Sequence, residues 1–269
     1  MKKFLLTLVL SASTLYAGAA QSSWGLYDYQ LGKYQQAANT DDVRSIASIT
    51  KLFTATTILR SGLDLNERVK VTGRSGGRFP KGTMVRRIDL MKAMLISSDN
   101  LAAETLANTY PGGFSVFITE TNQWVRGWGL IDTTIVDASG LSPGNQSSVN
   151  NLVTLIYKIR QYPEILNISA ESNTILKVNK GKKEIKIHLK NTNPEVFVFD
   201  NIVLSKTGTT NAAGRCVVML VEKANGLHGI VVLGKHNSKE RSTLAQALLK
   251  IVPVSNANAS QDEYEITFP

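Results

Sequence analysis

The chain has 269 residues, 43% of them hydrophobic and 19% charged, a composition that suits one large or two small interlocked globular units. A single cysteine, Cys216, excludes an internal disulfide and any multi-cysteine metal site. The formal charge of +9 comes without a long basic run, which favours anionic surroundings over a nucleic-acid groove.

In chain order, the first segment is MKKFLLTLVLSASTLYAGAA. It has a basic start, an apolar core and Ala17 and Ala19 in an A-x-A pattern, so residues 1–19 read as a secretory signal peptide. The apolar run is short for a membrane span, and no cysteine lies near the cleavage site to carry a lipid. The expectation is an exported, periplasmic protein with no stable membrane anchor, still basic after loss of Lys2 and Lys3. Residues 20–252 are read as one domain and residues 253–269 as a loose polar tail.

Alternating residues around Leu31-Gly32-Lys33 predict a hairpin. A helix follows from Ser48 and stops near Gly62. RVKVTGRSGGRFPKGTMV offers a short strand and a Gly-rich turn. From Ile88 to Tyr110 the periodicity is helical but interrupted at SSDN, and Pro111-Gly112-Gly113 ends it. Two further helices are predicted, FSVFITETNQWVRGW and SSVNNLVTLIYKIRQ, the second capped by Ser147 or Ser148. TILKVNKGKKEIKIHLK reads as a hairpin with a Lys-rich tip. NIVLSKTG, RCVVMLVEK and GIVVLGK read as strands, and STLAQALLKIV as a closing amphipathic helix. Strands at both ends with helices between them predict an α+β fold, in which one antiparallel sheet is flanked by helices and the middle helices form a lobe.

Three short motifs carry chemistry. Ser48-Ile49-Thr50-Lys51 is the only S-x-x-K in the chain. On a helix its serine and lysine share a face one turn apart. A serine hydroxyl is a poor nucleophile until a base takes its proton, and a lysine becomes that base when burial or a nearby cation lowers its pKa. Ser98-Asp99-Asn100 is an S-x-N at the break in a strong apolar helix pattern, as a loop presented into a cleft would be. Ser148-Val149-Asn150 is a second S-x-N, better explained as a helix cap. Lys206-Thr207-Gly208-Thr209 ends an apolar strand, where a lysine and hydroxyls can bind a carboxylate and a glycine admits a ligand backbone.

In this order the three motifs form the signature of penicillin-recognising serine enzymes. The chain resembles the low-molecular-mass penicillin-binding proteins, the D-alanyl-D-alanine carboxypeptidases and endopeptidases. The likeness also runs through LDLNERVKVT, LMKAMLISSDNLAAETLA, DASGLSPGNQSS and LSKTGTTNAAGRCVVML. Within that family it resembles most the short endopeptidase-like members, which lack an extra C-terminal β-domain. Ser45 stands where the family often has proline. The resemblance implies a β-lactamase/transpeptidase-like fold and a serine peptidase acting on peptidoglycan stem peptides, with β-lactams as inhibitors. By it, Ser48 would attack the penultimate D-alanine carbonyl and Lys51 would be its base. Ser98, Asn100 and Lys206 would complete the proton and charge network, with each lysine disfavouring the other's charge. Thr207, Gly208 and Thr209 would bind substrate, and the N–H groups of Ser48 and Thr209 would form an oxyanion hole. No cofactor, metal or nucleic acid is implied.

Rival readings rest on less. Gly73-Arg74-Ser75-Gly76-Gly77 matches a nucleophile elbow, but RFPKGT cannot supply the helix that must follow. His188, His228 and His236 lack metal spacing and read as surface residues. A serine β-lactamase of class A needs a deacylating glutamate in E-x-x-L-N. Glu164-Ile165-Leu166-Asn167 is one residue too short, follows Pro163 and reads as a helix end. A non-catalytic peptidoglycan-binding scaffold would have lost a motif residue, and none is missing.

Overall fold

A computed structural model describes residues 22–181, 183–223 and 226–251. The signal segment 1–19 and the tail 253–269 lie outside the described residues. In chain order the strands and helices are β1 (Ser23–Asp28), β2 (Lys33–Ala38), β3 (Arg44–Ser45), α1 (Thr50–Arg60), β4 (Arg68–Lys70), β5 (Met84–Arg86), α2 (Arg87–Ile96), α3 (Asn100–Asn108) and α4 (Gly113–Gly127). They continue with β6 (Gln146–Ser147), α5 (Val149–Lys158), α6 (Pro163–Ser169), β7 (Asn173–Lys180), β8 (Lys183–Lys190), β9 (Ile202–Thr210), β10 (Gly214–Lys223), β11 (Gly226–Lys235) and α7 (Ser238–Ile251).

The two ends of the chain meet in one antiparallel sheet of order β2-β1-β11-β10-β9. Its central strands are apolar almost without a break because both faces are covered. Side chains alternate across a strand. Val217, Met219 and Val221 accordingly pack with Ala245, Leu248 and Leu249 of α7, while Val218 and Leu220 join the larger core under the helical lobe. That lobe is built from α1 to α6, with Leu52, Phe53, Ile58, Leu90 and Met91 fully buried. The architecture is the α+β arrangement that the strand and helix order predicted.

Local details differ from the sequence reading in two places. His228 is fully buried, not a surface residue: the sheet order makes β11 a central strand, so position 228 is paired with Asp28 on β1 and Val221 on β10. Its Nε2 lies 3.3 Å from Asp28 Oδ2. Glu164 does not end a helix but lies in the first turn of α6, which Pro163 opens; proline fits there because its missing N–H has no intrahelical partner.

The break in the Ile88–Tyr110 pattern is real. α2 ends at Ile96 and α3 begins at Asn100, with Asp99 as N-cap accepting from Ala102 N at 2.8 Å. Ser98 between them adopts a left-handed backbone with φ of 57°, which costs a non-glycine residue about 1–2 kcal/mol. The other carboxylate oxygen of Asp99 accepts from Arg78 N at 2.6 Å, tying the Gly-rich loop to this turn.

Candidate active site

Ser48 lies in a 3₁₀ turn, Ala47–Ile49, that runs straight into α1. The turn is strained, since Ala47 has φ of 46°. Two glycine backbones make room for it. A Cβ on Gly140, whose φ is +84°, would lie 2.0 Å from the Ala47 carbonyl oxygen. A Cβ on Gly208 would lie 2.8 Å from Ile46 O and 3.1 Å from Ser48 N. Gly208 is therefore bare first of all because the protein's own nucleophile turn packs against it. Ser45, in place of the family's frequent proline, donates its hydroxyl to Pro143 O at 2.7 Å.

One turn into α1, Lys51 is completely buried. Its Nζ reaches Ser48 Oγ at 2.9 Å, Asn100 Oδ1 at 2.7 Å and Ser139 O at 2.5 Å. Burial pushes the amine down to about 7, against the opposing pull of the Asp137, Asp99 and Glu104 carboxylates. In its neutral form the amine keeps two N–H groups for Asn100 and Ser139 and turns its lone pair to the Ser48 hydroxyl. The dominant cause is desolvation rather than repulsion by Lys206. That repulsion is felt at Lys206, which burial first, and then the charges of Lys51 and Arg241, push well below the ordinary lysine range.

Lys206 is also buried, donating to Ser98 Oγ at 3.0 Å and to Thr207 O at 2.8 Å. Thus S-x-x-K meets S-x-N through Lys51 and Asn100, and S-x-N meets K-T-G through Ser98 and Lys206. The alternative Ser148 is fully buried, accepts from Asn151 N at 3.2 Å as a helix cap and donates to Asp132 Oδ2 at 2.8 Å.

These groups open onto a cleft of about 530 Å³ lined by Ser48, Ser98, Asn100, Thr207, Gly208 and Thr209. Lys51 and Lys206, both buried, contact the Ser48 and Ser98 hydroxyls that line it. Leu141, Thr192, Pro194, Ser238 and Arg241 complete the wall, and none of these five was singled out from the sequence. Arg241 is the most telling of them: only 5% exposed, it borders the cleft with its Nε unpartnered. It lies just before the predicted helix STLAQALLKIV; the observed α7 starts earlier, at Ser238, and takes it in. The loop 137–142 was quoted for its likeness only, yet it supplies the Ser139 carbonyl. Asp137 shapes it, accepting from Ser139 N at 2.7 Å, Gly140 N at 2.6 Å and Ser142 N at 2.7 Å.

No carboxylate lines the cleft among the described residues, and Glu164 on α6 is half-buried outside it. Ser75 of the elbow-like sequence is not followed by a helix; its hydroxyl donates to Glu104.

A buried lysine on a serine, joined to a second lysine on an edge strand, defines a serine acyl-transfer enzyme of the penicillin-recognising fold. The solved structures agree. Penicillin-binding protein D2 from Listeria monocytogenes, in a cefotaxime-bound form, is 26% identical with a TM-score of 0.74, covering 85% of this chain and 95% of that one. The Streptomyces K15 DD-transpeptidase has a TM-score of 0.79 at 20% identity, covering 84% and 94%, and shares the fold. Among curated relatives, the D-alanyl-D-alanine endopeptidase of Escherichia coli K12 is 34% identical over 222 residues, 80% of this chain and 71% of that protein. The family described as D-alanyl-D-alanine carboxypeptidase matches residues 11–237, and the chain belongs to it.

The Lys51 amine sets a pH dependence. As pH rises through about 7 the ammonium gives way to the free base, so acylation of Ser48 should accelerate and then level off. Below that point the rate should fall about tenfold per pH unit. Rates of labelled-penicillin incorporation between about pH 5 and 9 test this, and a flat profile would remove Lys51 as the base.

Gly140→Ala should both destabilise the fold by about 1–2 kcal/mol or more and slow acylation by displacing the Ser48 turn. Urea unfolding and the labelling rate read the two effects. A variant labelled at the native rate would show that the turn does not depend on this close approach.

Proposed function

We propose that this protein is an exported serine D-alanyl-D-alanine peptidase that hydrolyses peptidoglycan stem peptides through an acyl-enzyme on Ser48, and that β-lactams acylate the same serine. The observation that carries the reading is the 2.9 Å contact between the Lys51 amine and Ser48 Oγ in a site that burial keeps near neutrality. Ser48 Oγ attacks the carbonyl of the penultimate D-alanine and its proton passes to Lys51. The oxyanion is held by the N–H groups of Ser48 and Thr209, a contribution of about 3–4 kcal/mol per donor in comparable sites. Ser98, in contact with Lys206, delivers a proton to the leaving amine, and water then releases the acyl group.

β9 is an edge strand of the sheet, and its Thr207–Thr209 segment lines the cleft. An extended stem peptide can therefore add to it as a further strand, with Asn100 on the opposite wall to take a peptide amide. Thr207, whose hydroxyl is 2.6 Å from that of Thr192, and Thr209 receive the substrate carboxylate, with the Arg241 guanidinium as its counter-charge.

Between the two bonds such enzymes cut, the 34% identity to an endopeptidase, against 29% to the Haemophilus influenzae carboxypeptidase, favours a D-alanyl cross-link. The A-x-A segment supports export to the periplasm. Among the described residues, no helix is long and apolar enough to cross a membrane.

Purified protein incubated with fluorescent penicillin should acquire a long-lived covalent label that Ser48→Ala abolishes. Rapid turnover with hydrolysed drug would instead make it a β-lactamase, and absence of label would leave a binding scaffold. Ser98→Ala should slow labelling by about two orders of magnitude, the usual worth of a positioned proton carrier. Ser148→Ala should leave the acylation rate of the folded enzyme unchanged; the reverse pattern would reassign the S-x-N motif.

A further inference from the structure

The hairpin β7–β8 is separate from the main sheet, and its two faces differ sharply. Leu176, Val178, Ile187 and Leu189 point inward and are buried. The outward positions include Lys177, Lys186, His188 and Lys190, all exposed. In the strand register Lys177 stands directly opposite Lys186. Like charges in that position destabilise a hairpin, because their Cβ atoms are only about 5 Å apart. Glu184, opposite Asn179, is the acidic residue on this face. The ion pairs found among the described residues involve none of the hairpin's lysines.

The charge continues at both ends of the hairpin. Near its tip, Asn179 and Gly181 help to line a hollow of about 500 Å³ whose charged side chains are Arg68 and Lys81. At its foot, Lys190 N donates to Ser97 Oγ at 3.0 Å, and Ser97 Oγ donates to Lys190 O at 3.0 Å. Ser97 is the neighbour of Ser98, and Thr192, two residues beyond Lys190, lines the catalytic cleft. The basic face thus begins at the rim of the active site and runs outward along eight-residue strands, a distance of about 26 Å.

We propose that the outer face of β7–β8 is a docking track for the peptidoglycan polymer, engaging the free carboxylates of stem peptides next to the one in the cleft. The inference rests on the peptidase reading above. The unfavourable Lys177–Lys186 pairing is relieved when an anionic strand lies across it, and the pinned foot of the hairpin keeps the bound polymer in register with Ser48. A small substrate confined to the cleft would not reach the track, so the lysines govern capture of the polymer and not the chemical step.

The test compares Ser48→Ala protein, which leaves the polymer intact, with the same protein also carrying Lys177→Gln and Lys186→Gln. Both are sedimented with purified insoluble peptidoglycan at low salt. The added substitutions should weaken binding by about two- to thirtyfold, the worth of two exposed ion pairs. Raising salt to about 0.5 M, where the Debye length is about 4 Å, should erase the difference. Equal sedimentation of the two proteins would overturn the proposal. So would stronger binding to phosphatidylglycerol vesicles than to peptidoglycan, which would assign the face to a membrane. In the Ser48 background, Lys177→Gln/Lys186→Gln should be labelled by penicillin at the parent rate. A failure of labelling in the parent itself would sink the peptidase reading, whereas a failure of sedimentation alone would sink only the track.

Discussion

The site depends on taking one amine out of water. Lys51 is enclosed by a helix whose Leu52, Phe53 and Ile58 are wholly buried, and desolvation disfavours its ammonium form. Burial lowers its affinity for a proton. The carboxylates of Asp137, Asp99 and Glu104 pull in the opposite direction and leave the amine near 7. Those same carboxylates have structural partners: Asp137 shapes the loop that presents the Ser139 carbonyl, Asp99 caps α3, and Glu104 accepts from Arg74 N and Ser75 N. The packing that folds the lobe is therefore the packing that tunes the base.

The sheet topology explains how distant segments converge on that amine. Pairing β1 with β11 closes the chain and leaves β9 at one edge. The bare Gly208 on this edge strand lets the Ser48 turn approach, and Gly140 does the same from the other side. Neither approach is compatible with a side chain, so two glycines far apart in sequence fix the position of one serine. The strained φ values at Ala47 and Ser98 fall at the two turns that present hydroxyls to the cleft, as expected where surrounding contacts over-determine a local conformation.

What could be read from the sequence was what lies close along the chain. Ser48 and Lys51 are joined by helical spacing, the SSDN break shows as an interrupted apolar pattern, and K-T-G ends a β-branched run. The antiparallel sheet was legible because strand-like runs lie at both ends of the chain. Ser139 was not, because it contributes a backbone carbonyl, which any residue type could supply. Arg241 was not legible because the apolar periodicity marks the closing helix only from Ser242 on, whereas α7 begins at Ser238 with a polar turn. His228 was misread for a related reason: nothing local shows that its strand is central, so its burial beside Asp28 follows only from the strand order.

The two buried lysines also constrain each other's roles. Both lie in a region where a second full charge is disfavoured, and the field of Lys51 helps hold Lys206 below its ordinary range. The influence runs chiefly one way, since it is burial that lowers Lys51. Lys206 is the member on the edge strand β9, with Ser98 and the Thr207 carbonyl as its acceptors. Lys51 and Lys206 thus reach the cleft through different hydroxyls, Ser48 and Ser98, one amine carried by a helix and the other by an edge strand.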